Sequence, residues 1–105
     1  MDRHFLVVWE FFVRLGAEAE FECAYGSSGA WVRLFAGHPG YLGTELSQDL
    51  EQPRRYFTFD RWVSRAAYGT FRAACAAEYM AVDRQGEGLT ERETEIGRFE
   101  IVDRG

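Results

Sequence analysis

Hydrophobic residues recur with a period of two along four stretches of the chain, and this pattern predicts β-strands. The first stretch, Phe5 to Arg14, is apolar on both faces, so we expect it to lie inside a sheet. Two more stretches flank the polar segment around Pro53, which predicts a β-hairpin within Gly40 to Ser64. A fourth strand is predicted from Thr94 to Val102, with a bulge or a close backbone approach at Gly97.

Helical spacing of apolar residues predicts the elements that cover this sheet. A helix is expected from Ala17 to Tyr25, followed by a short helix that carries Trp31 and Phe35. Ser64 is a suitable N-cap for a long helix that ends before Gly86. That helix carries one continuous apolar stripe: Ala67, Tyr68, Phe71, Ala74, Cys75, Tyr79 and Val82.

The resulting order is β-α-β-β-α-β, with an extra short helix before the second strand. Right-handed crossovers then place the helices on one face of a four-stranded antiparallel sheet of order 4-1-3-2. This is an α+β, ferredoxin-like fold, expected as one domain over residues 1–105. The second sheet face is also apolar and lacks a cover, so we expect a symmetric homodimer.

Composition narrows the function classes. The 105 residues carry a net charge of -5 and no basic run, which argues against a nucleic-acid partner. No membrane span or signal peptide is expected, and the predicted location is cytoplasmic. Cys23 and Cys75 are expected to be reduced and buried, and the two histidines lack the spacing of a metal site. The aromatic content of 16% exceeds what a small core readily absorbs, so some rings are expected to line a cavity or an interface.

The chain resembles the antibiotic biosynthesis monooxygenase-like proteins of the dimeric α/β-barrel superfamily. The resemblance extends from Leu6-Val-Val-Trp-Glu-Phe to Gly97-Arg-Phe-Glu and is strongest at Pro39-Gly-Tyr-Leu-Gly-Thr-Glu-Leu and Asp60-Arg-Trp-Val-Ser. It implies a dimeric α/β barrel and an oxygenase that acts on an aromatic or polyketide-like molecule without a tightly bound cofactor. A non-catalytic dimeric module that binds a small molecule or serves an assembly role is the alternative.

The heme-degrading branch of that superfamily uses an Asn on the first strand and a Trp and a His on the long helix. Here the corresponding positions fall at Trp9-Glu10, at Thr70-Phe71 and near Ala81. None of the three functional residues is present, so heme degradation is not expected.

The aromatic residues Trp9, Trp62, Tyr68 and Phe71 are the candidates for contact with a planar substrate, and packing in the core is the alternative for each. Arg61 and Arg98 are expected by default to form ion pairs with Glu45, Glu100 or a partner subunit, and binding an anionic or enolate substrate oxygen is the alternative. His38, in a Gly-His-Pro-Gly turn, is either a solvated loop residue or a general base at the cavity rim.

Glu45 and Asp60 are the candidate carboxylates for acid–base chemistry. If the hairpin turn centres between Gln52 and Pro53, Glu45 lies directly across from Asp60, and Gly43 lies across from Trp62. Two like charges so close would share a proton, which would raise one pKa and provide a general base. A register that differs by two residues, or neutralisation by Arg61 or Arg98, would remove this arrangement.

Overall fold

The computed structural model describes residues 3–105, and their topology confirms the predicted ferredoxin-like α+β fold. The strands form one antiparallel sheet of order β2-β3-β1-β4. In chain order the elements are β1 (Phe5–Val13), α1 (Glu18–Tyr25), α2 (Ala30–Ala36), β2 (Tyr41–Gln48), β3 (Arg55–Trp62), α3 (Arg65–Ala74), α4 (Ala76–Gly86), a 3₁₀ turn (Glu87–Leu89) and β4 (Thr90–Glu100). Among the described residues, no helix is long and apolar enough to cross a membrane.

The four helices of residues 3–105 pack on one side of the sheet, where the buried side chains form two adjoining clusters. The first cluster contains Phe5, Val7, Phe35, Trp62, Tyr68, Phe71 and Cys75. The second contains Phe11, Val13, Phe21, Tyr25 and Tyr56. Trp9 packs against both clusters and therefore lies where they meet.

The opposite side of the sheet, here called the outer face, carries apolar residues as well. Leu6 and Val8 of β1 alternate with the helix-facing residues, and so do Phe57 and Phe59 of β3. The rings of Phe57 and Phe59 are stacked with centroids 6.2 Å apart. The outer face is thus the uncovered apolar surface that the sequence predicted.

The hairpin register differs by one residue from the predicted one. Thr44, not Glu45, lies across from Asp60, and Glu45 lies across from Phe59. The reason is the turn, which centres on Gln52 instead of between Gln52 and Pro53. Asp49 accepts a hydrogen bond from the backbone N–H of Glu51 at 2.8 Å, and the N–H of Arg55 bonds the carbonyl of Gln52 at 2.8 Å.

A β-bulge at the start of β2 is a second departure from prediction. The register shifts between Tyr41 and Gly43, and Gly43 has a φ of +138°. Because of this extra residue, Tyr41 and Thr44 both face the helices, and Tyr41 lies across from Trp62. The predicted pairing of Gly43 with Trp62 is therefore wrong.

The predicted long helix is two helices, α3 and α4, which meet at Cys75. Cys75 has a non-helical φ of -121° and ψ of 31°. Hydrogen bonds still continue on both sides, from Cys75 N–H to Phe71 and from Tyr79 N–H to Cys75. The bend leaves the apolar spacing intact and brings Tyr79 edge-on to Trp31 of α2, with ring centroids 4.8 Å apart.

Two smaller expectations also need correction. β4 begins at Thr90 instead of Thr94, since Thr90 is buried and the acidic run after it pairs with β1. The predicted irregularity near Gly97 is confirmed as a register shift opposite Val8 and Trp9. Both cysteines are free thiols, but Cys23 is exposed and only Cys75 is buried, because the stripe of α1 that contacts the core is Phe21 and Tyr25.

Candidate functional site

A cleft between the sheet and the helices brings aromatic rings and carboxyl groups together. It offers about 40 Å³ to water-sized molecules, and about 430 Å³ of empty space when its open mouth is included. Its lining residues are Trp9, Phe11, Tyr25, Trp31, Phe35, Thr44, Thr58, Asp60, Tyr79, Asp83 and Glu93. The walls are thus largely aromatic, with a few polar groups that can orient a ligand.

Asp60 is the most deeply placed carboxyl group of the cleft. It lies on the helix-facing side of β3, between Thr58 and Trp62, and only 8% of its surface is exposed. Burial raises the pKa of Asp60 to about 6, against which the hydrogen bond from Thr44 acts in part. A carboxyl group with that pKa is mostly ionised at neutral pH and remains a stronger base than an exposed aspartate.

Two hydroxyl groups of β2, the edge strand of the sheet, form a hydrogen-bonded chain with Asp60. The hydroxyl of Thr44 donates to Asp60 Oδ1 at 2.7 Å. The hydroxyl of Tyr41 lies 2.6 Å from Thr44 Oγ1. Thr44 lines the cleft, whereas Tyr41 lies behind it, against Phe35 and Trp62. The β-bulge at Gly43 is what places both hydroxyl groups on the same side of β2.

A second group of acids lies at another part of the cleft wall. Glu93 of β4 accepts hydrogen bonds from Thr90 at 3.3 Å and from Tyr25 at 3.4 Å. Burial and the charge of Asp83 both raise the pKa of Glu93. Burial also raises the pKa values of Tyr25 and Tyr79, so both phenols stay protonated at neutral pH and can donate hydrogen bonds.

The structure separates the two predicted catalytic carboxylates. Asp60 points toward the helices and into the cleft, whereas Glu45 is exposed on the outer face. Side chains of a strand alternate between faces, so a register shift of one residue moves Glu45 to the other side. The shared-proton pair is therefore wrong, and the raised pKa of Asp60 has burial as its cause.

His38 lies away from the cleft lining and is half-buried instead of solvated. Its Nε2 is 3.1 Å from Cys75 Sγ, and its ring packs edge-on against Phe71. The geometry therefore gives His38 a packing role behind the cleft, and no base at its rim.

The predicted substrate-contact residues divide between cleft, core and outer face. Trp9 lines the cleft, but Trp62, Tyr68 and Phe71 lie in the adjoining core cluster. The indole nitrogen of Trp62 is buried with no hydrogen-bond partner in the described chain. Arg61 is exposed on the outer face.

Arg98 forms an ion pair, as expected, but its partner was not predicted. Its Nε lies 2.8 Å from Glu95 Oε1, three residues away on β4. Of the expected partners within the chain, Glu45 lies on β2 at the opposite edge of the sheet, and Glu100 lies two residues from Arg98 on β4, but the ion pair found in residues 3–105 is with Glu95.

Several lining residues were not foreseen as site residues. Thr58 could have been found, because it shares the face of Asp60 by the period of two. Thr44 follows only from the correct register, and Trp31 and Tyr79 were visible only as core positions at helical spacing. Within residues 3–105, no cluster of three His, Cys, Asp or Glu side chains could hold a metal ion.

Comparison with known proteins places these features in context. The family model described as antibiotic biosynthesis monooxygenase matches residues 4–80. No curated protein sequence matches the chain. A protein from Bordetella bronchiseptica, provisionally assigned as an antibiotic biosynthesis monooxygenase, has a similar structure at 18% identity and a TM-score of 0.74, over 97% of this chain and 100% of that chain.

Two further solved structures are similar at low identity. SnoaB, a cofactor-independent oxygenase from Streptomyces nogalater, is 21% identical with a TM-score of 0.65, over 96% of this chain and 95% of that chain. A protein from Nitrosomonas europaea is 11% identical with a TM-score of 0.72, over 99% of this chain and 95% of that chain. At these identities the likeness establishes the fold.

Proposed function

Because the chain belongs to the antibiotic biosynthesis monooxygenase family, we propose that it oxygenates a phenolic aromatic or polyketide-like molecule without a tightly bound cofactor. In this proposal the ligand lies against Trp9 in the cleft, and Asp60 is the general base. The observation that carries the proposal is the buried carboxyl group of Asp60, with a pKa raised to about 6, among aromatic walls.

The chemistry needs only a substrate that can supply electrons to oxygen. Asp60 removes the phenolic proton, and the resulting anion donates electron density to O₂ at an activated ring CH₂ group. One oxygen atom becomes the new C=O group, and the other leaves as water with the two hydrogens of the CH₂ group. The substrate supplies all four electrons, so no separate reductant is needed. The protein contributes orientation, exclusion of water and proton transfer.

The small free volume of the cleft bears on how a substrate would enter. Ligand sites usually enclose about 300–1,000 Å³, far more than the space now open to water-sized molecules. Trp31 and Tyr79 are only partly buried and pack on each other, so we propose that these two rings move apart when a ligand binds.

The outer face supports a homodimer as part of the proposal. The four helices of residues 3–105 lie on the other side of the sheet, so the partly exposed side chains of Leu6, Phe57 and Phe59 remain available to a second copy. A two-fold arrangement would pack this face against itself and bury the apolar strip from both chains.

A non-catalytic binding module is the second candidate, and the tightly filled cleft favours it. Oxygen uptake with the dihydroxyanthrone dithranol distinguishes the two candidates, with a protein-free blank to correct for autoxidation. An oxygenase would accelerate oxygen uptake and formation of the corresponding quinone. A binding module would leave the rates of oxygen uptake and quinone formation equal to those of the protein-free blank.

Asp60→Asn tests the assigned base. We expect kcat to fall roughly 10²–10⁴-fold, the usual contribution of a general base. In the wild-type protein kcat/KM should rise as pH increases through about 6, and the Asn variant should lose this inflection. Glu20→Gln, at an exposed position of α1, is the matched control and should keep the wild-type profile. Equal activity of the Asn variant and the wild type would exclude Asp60 as the base.

A further inference from the structure

We propose that Tyr41 and Thr44 form a proton relay that carries the Asp60 proton out of the cleft. The inference rests on the proposed function for its catalytic meaning, but its geometry stands alone. A general base buried among aromatic rings must lose its proton after each turnover. The hydroxyl chain is a route for that proton from the cleft to the edge of the sheet.

The chain has hydrogen-bond lengths suited to transfer at both links. Thr44 Oγ1 is 2.7 Å from Asp60 Oδ1 and 2.6 Å from the Tyr41 hydroxyl. Thr44 carries one hydroxyl hydrogen, which it gives to the ionised carboxylate of Asp60. Tyr41 must then donate to Thr44, so every hydrogen in the resting chain points toward Asp60.

After Asp60 is protonated, the two hydroxyl groups reorient so that Thr44 donates to Tyr41 and Tyr41 donates outward to a solvent water. The carboxylic acid then passes its proton to Thr44 Oγ1, Thr44 passes its own hydrogen to the Tyr41 oxygen, and Tyr41 passes its hydrogen to that water. Each hydroxyl oxygen gains one O–H bond and loses another, Asp60 returns to the carboxylate, and the water carries the proton away as hydronium. Every hydrogen in the chain again points toward Asp60, which is the resting state.

Among the described residues, Thr44 is the side chain that hydrogen-bonds Asp60, so this chain is the hydrogen-bonded route from the carboxyl group. Tyr41 is half-buried at the start of β2, outside the cleft lining, while Thr44 is part of that lining. Val7 of β1 lies across from Asp60 on the other side and offers an apolar wall. The other titratable groups that face the cleft are Tyr25, Tyr79, Asp83 and Glu93, and no hydrogen bond joins any of them to Asp60 in the described chain.

Conservative variants can break the relay without altering the packing. Thr44→Val keeps the branched shape suited to a strand but removes the central hydroxyl, and Thr44→Ser restores it. Tyr41→Phe keeps the ring against Phe35 and Trp62 and removes only the hydroxyl group at the outer end of the relay. Tyr56→Phe is the matched control, since it removes a hydroxyl from β3 that bonds Glu22 outside the cleft.

Carbon-13 NMR of the Asp60 carboxyl group gives a readout that does not depend on activity. Thr44→Val should raise the pKa of Asp60 by roughly one pH unit, because a hydrogen bond to the charged form is lost. Proton exchange at Asp60 should slow about tenfold or more in Thr44→Val and Tyr41→Phe. Thr44→Ser and Tyr56→Phe should exchange at the wild-type rate.

Turnover with dithranol then tests the catalytic part. Tyr41→Phe should lower kcat about tenfold with little change in KM, and added imidazole, a small mobile base, should restore part of the rate. Unchanged proton exchange in Thr44→Val would overturn the relay, whether or not the protein oxygenates anything. Slowed exchange in a protein that does not raise oxygen uptake above the protein-free blank would support the relay and overturn the proposed function.

Discussion

At the scale of single residues, the basicity of Asp60 has one physical source. A second carboxylate would have raised its pKa by repulsion, but Glu45 is on the opposite face. The observed cause is loss of hydration on burial, with Thr44 as the partial compensation. The distinction matters because a desolvated carboxylate destabilises the folded protein when it ionises.

This cost predicts a pH dependence of stability. The pKa of Asp60 is displaced from 3.8 to about 6, which corresponds to about 3 kcal/mol at 1.36 kcal/mol per pH unit. The pKa of Asp60 is higher in the folded protein than in the unfolded protein, so protonated Asp60 favours the folded state by up to this amount. This contribution to stability is fully present below about pH 4 and is lost as pH rises through about 6. Denaturant unfolding of the wild type and Asp60→Asn between pH 4 and 8 measures it. The difference in unfolding free energy between the two proteins should change by up to about 3 kcal/mol in favour of Asn.

A matched comparison isolates the buried group. Glu20→Gln removes an exposed carboxyl group and should follow the wild-type curve across the same pH range. If the wild type and Asp60→Asn kept a constant difference from pH 4 to 8, Asp60 would titrate with its ordinary pKa and the proposed base would lose its support.

The sequence predicts correctly which face of β3 carries Asp60, but it predicts the wrong cross-strand partner. The period of two in β3 places Thr58, Asp60 and Trp62 on one face, and the structure confirms this. The partner across the strand depends on the turn, where one residue of difference exchanges the two faces of β2. The burial of Asp60 also depends on how closely the helices pack over β3, which no local sequence pattern provides.

At the scale of elements, the bulge at the start of β2 sets the geometry of the site. Gly43 has a φ of +138°, a conformation that residues with a Cβ rarely adopt. The bulge places Thr44 opposite Asp60 and turns Tyr41 toward the helices. The glycine was visible in the sequence, but alternation alone gave no signal for the extra residue.

Gly43→Ala should therefore destabilise the protein through backbone strain. An added Cβ meets nothing within 4 Å, so steric overlap is not the cause. The expected loss is roughly 1–3 kcal/mol of unfolding free energy, measured by denaturant titration. The same variant should shift the pKa of Asp60, because strain at the bulge disturbs the Thr44 hydrogen bond.

Gly69→Ala is the matched control within the same chain. Gly69 lies in α3, is exposed and also has open space at its Cβ position. Alanine there should stabilise the helix by roughly 0.5–1 kcal/mol. If both substitutions had the same sign, the strained conformation at Gly43 would be refuted.

The break between α3 and α4 also could not be predicted from the local sequence pattern. Phe71, Cys75 and Tyr79 keep the spacing of a continuous helix, and their hydrogen bonds pass through the bend. No proline or glycine marks it. The bend places Tyr79 against Trp31 of α2, and this contact exists only in the folded chain.

At the scale of the whole molecule, topology was the most predictable feature. The order of helices and strands was readable from two periodicities, and the rule of right-handed crossovers left one sheet order, which the structure confirms. The cleft was not predictable, because it forms where two core clusters meet and its walls come from both the sheet and the helices.

The apolar outer face leads to the last prediction, which concerns assembly. Phe59 lies there, stacked with Phe57 and across from Val8 and Glu45. If two copies pack through this face, Phe59→Arg places charges in an apolar interface and should convert the dimer to a monomer. Light scattering after size-exclusion chromatography should then report 12.1 kDa instead of twice that mass. Leu50→Arg adds the same charge in the hairpin turn, where Leu50 is 93% exposed, and should leave the dimer intact. A wild-type protein that remains a monomer at micromolar concentration, or a dimer that survives Phe59→Arg, would overturn dimerisation through the outer face.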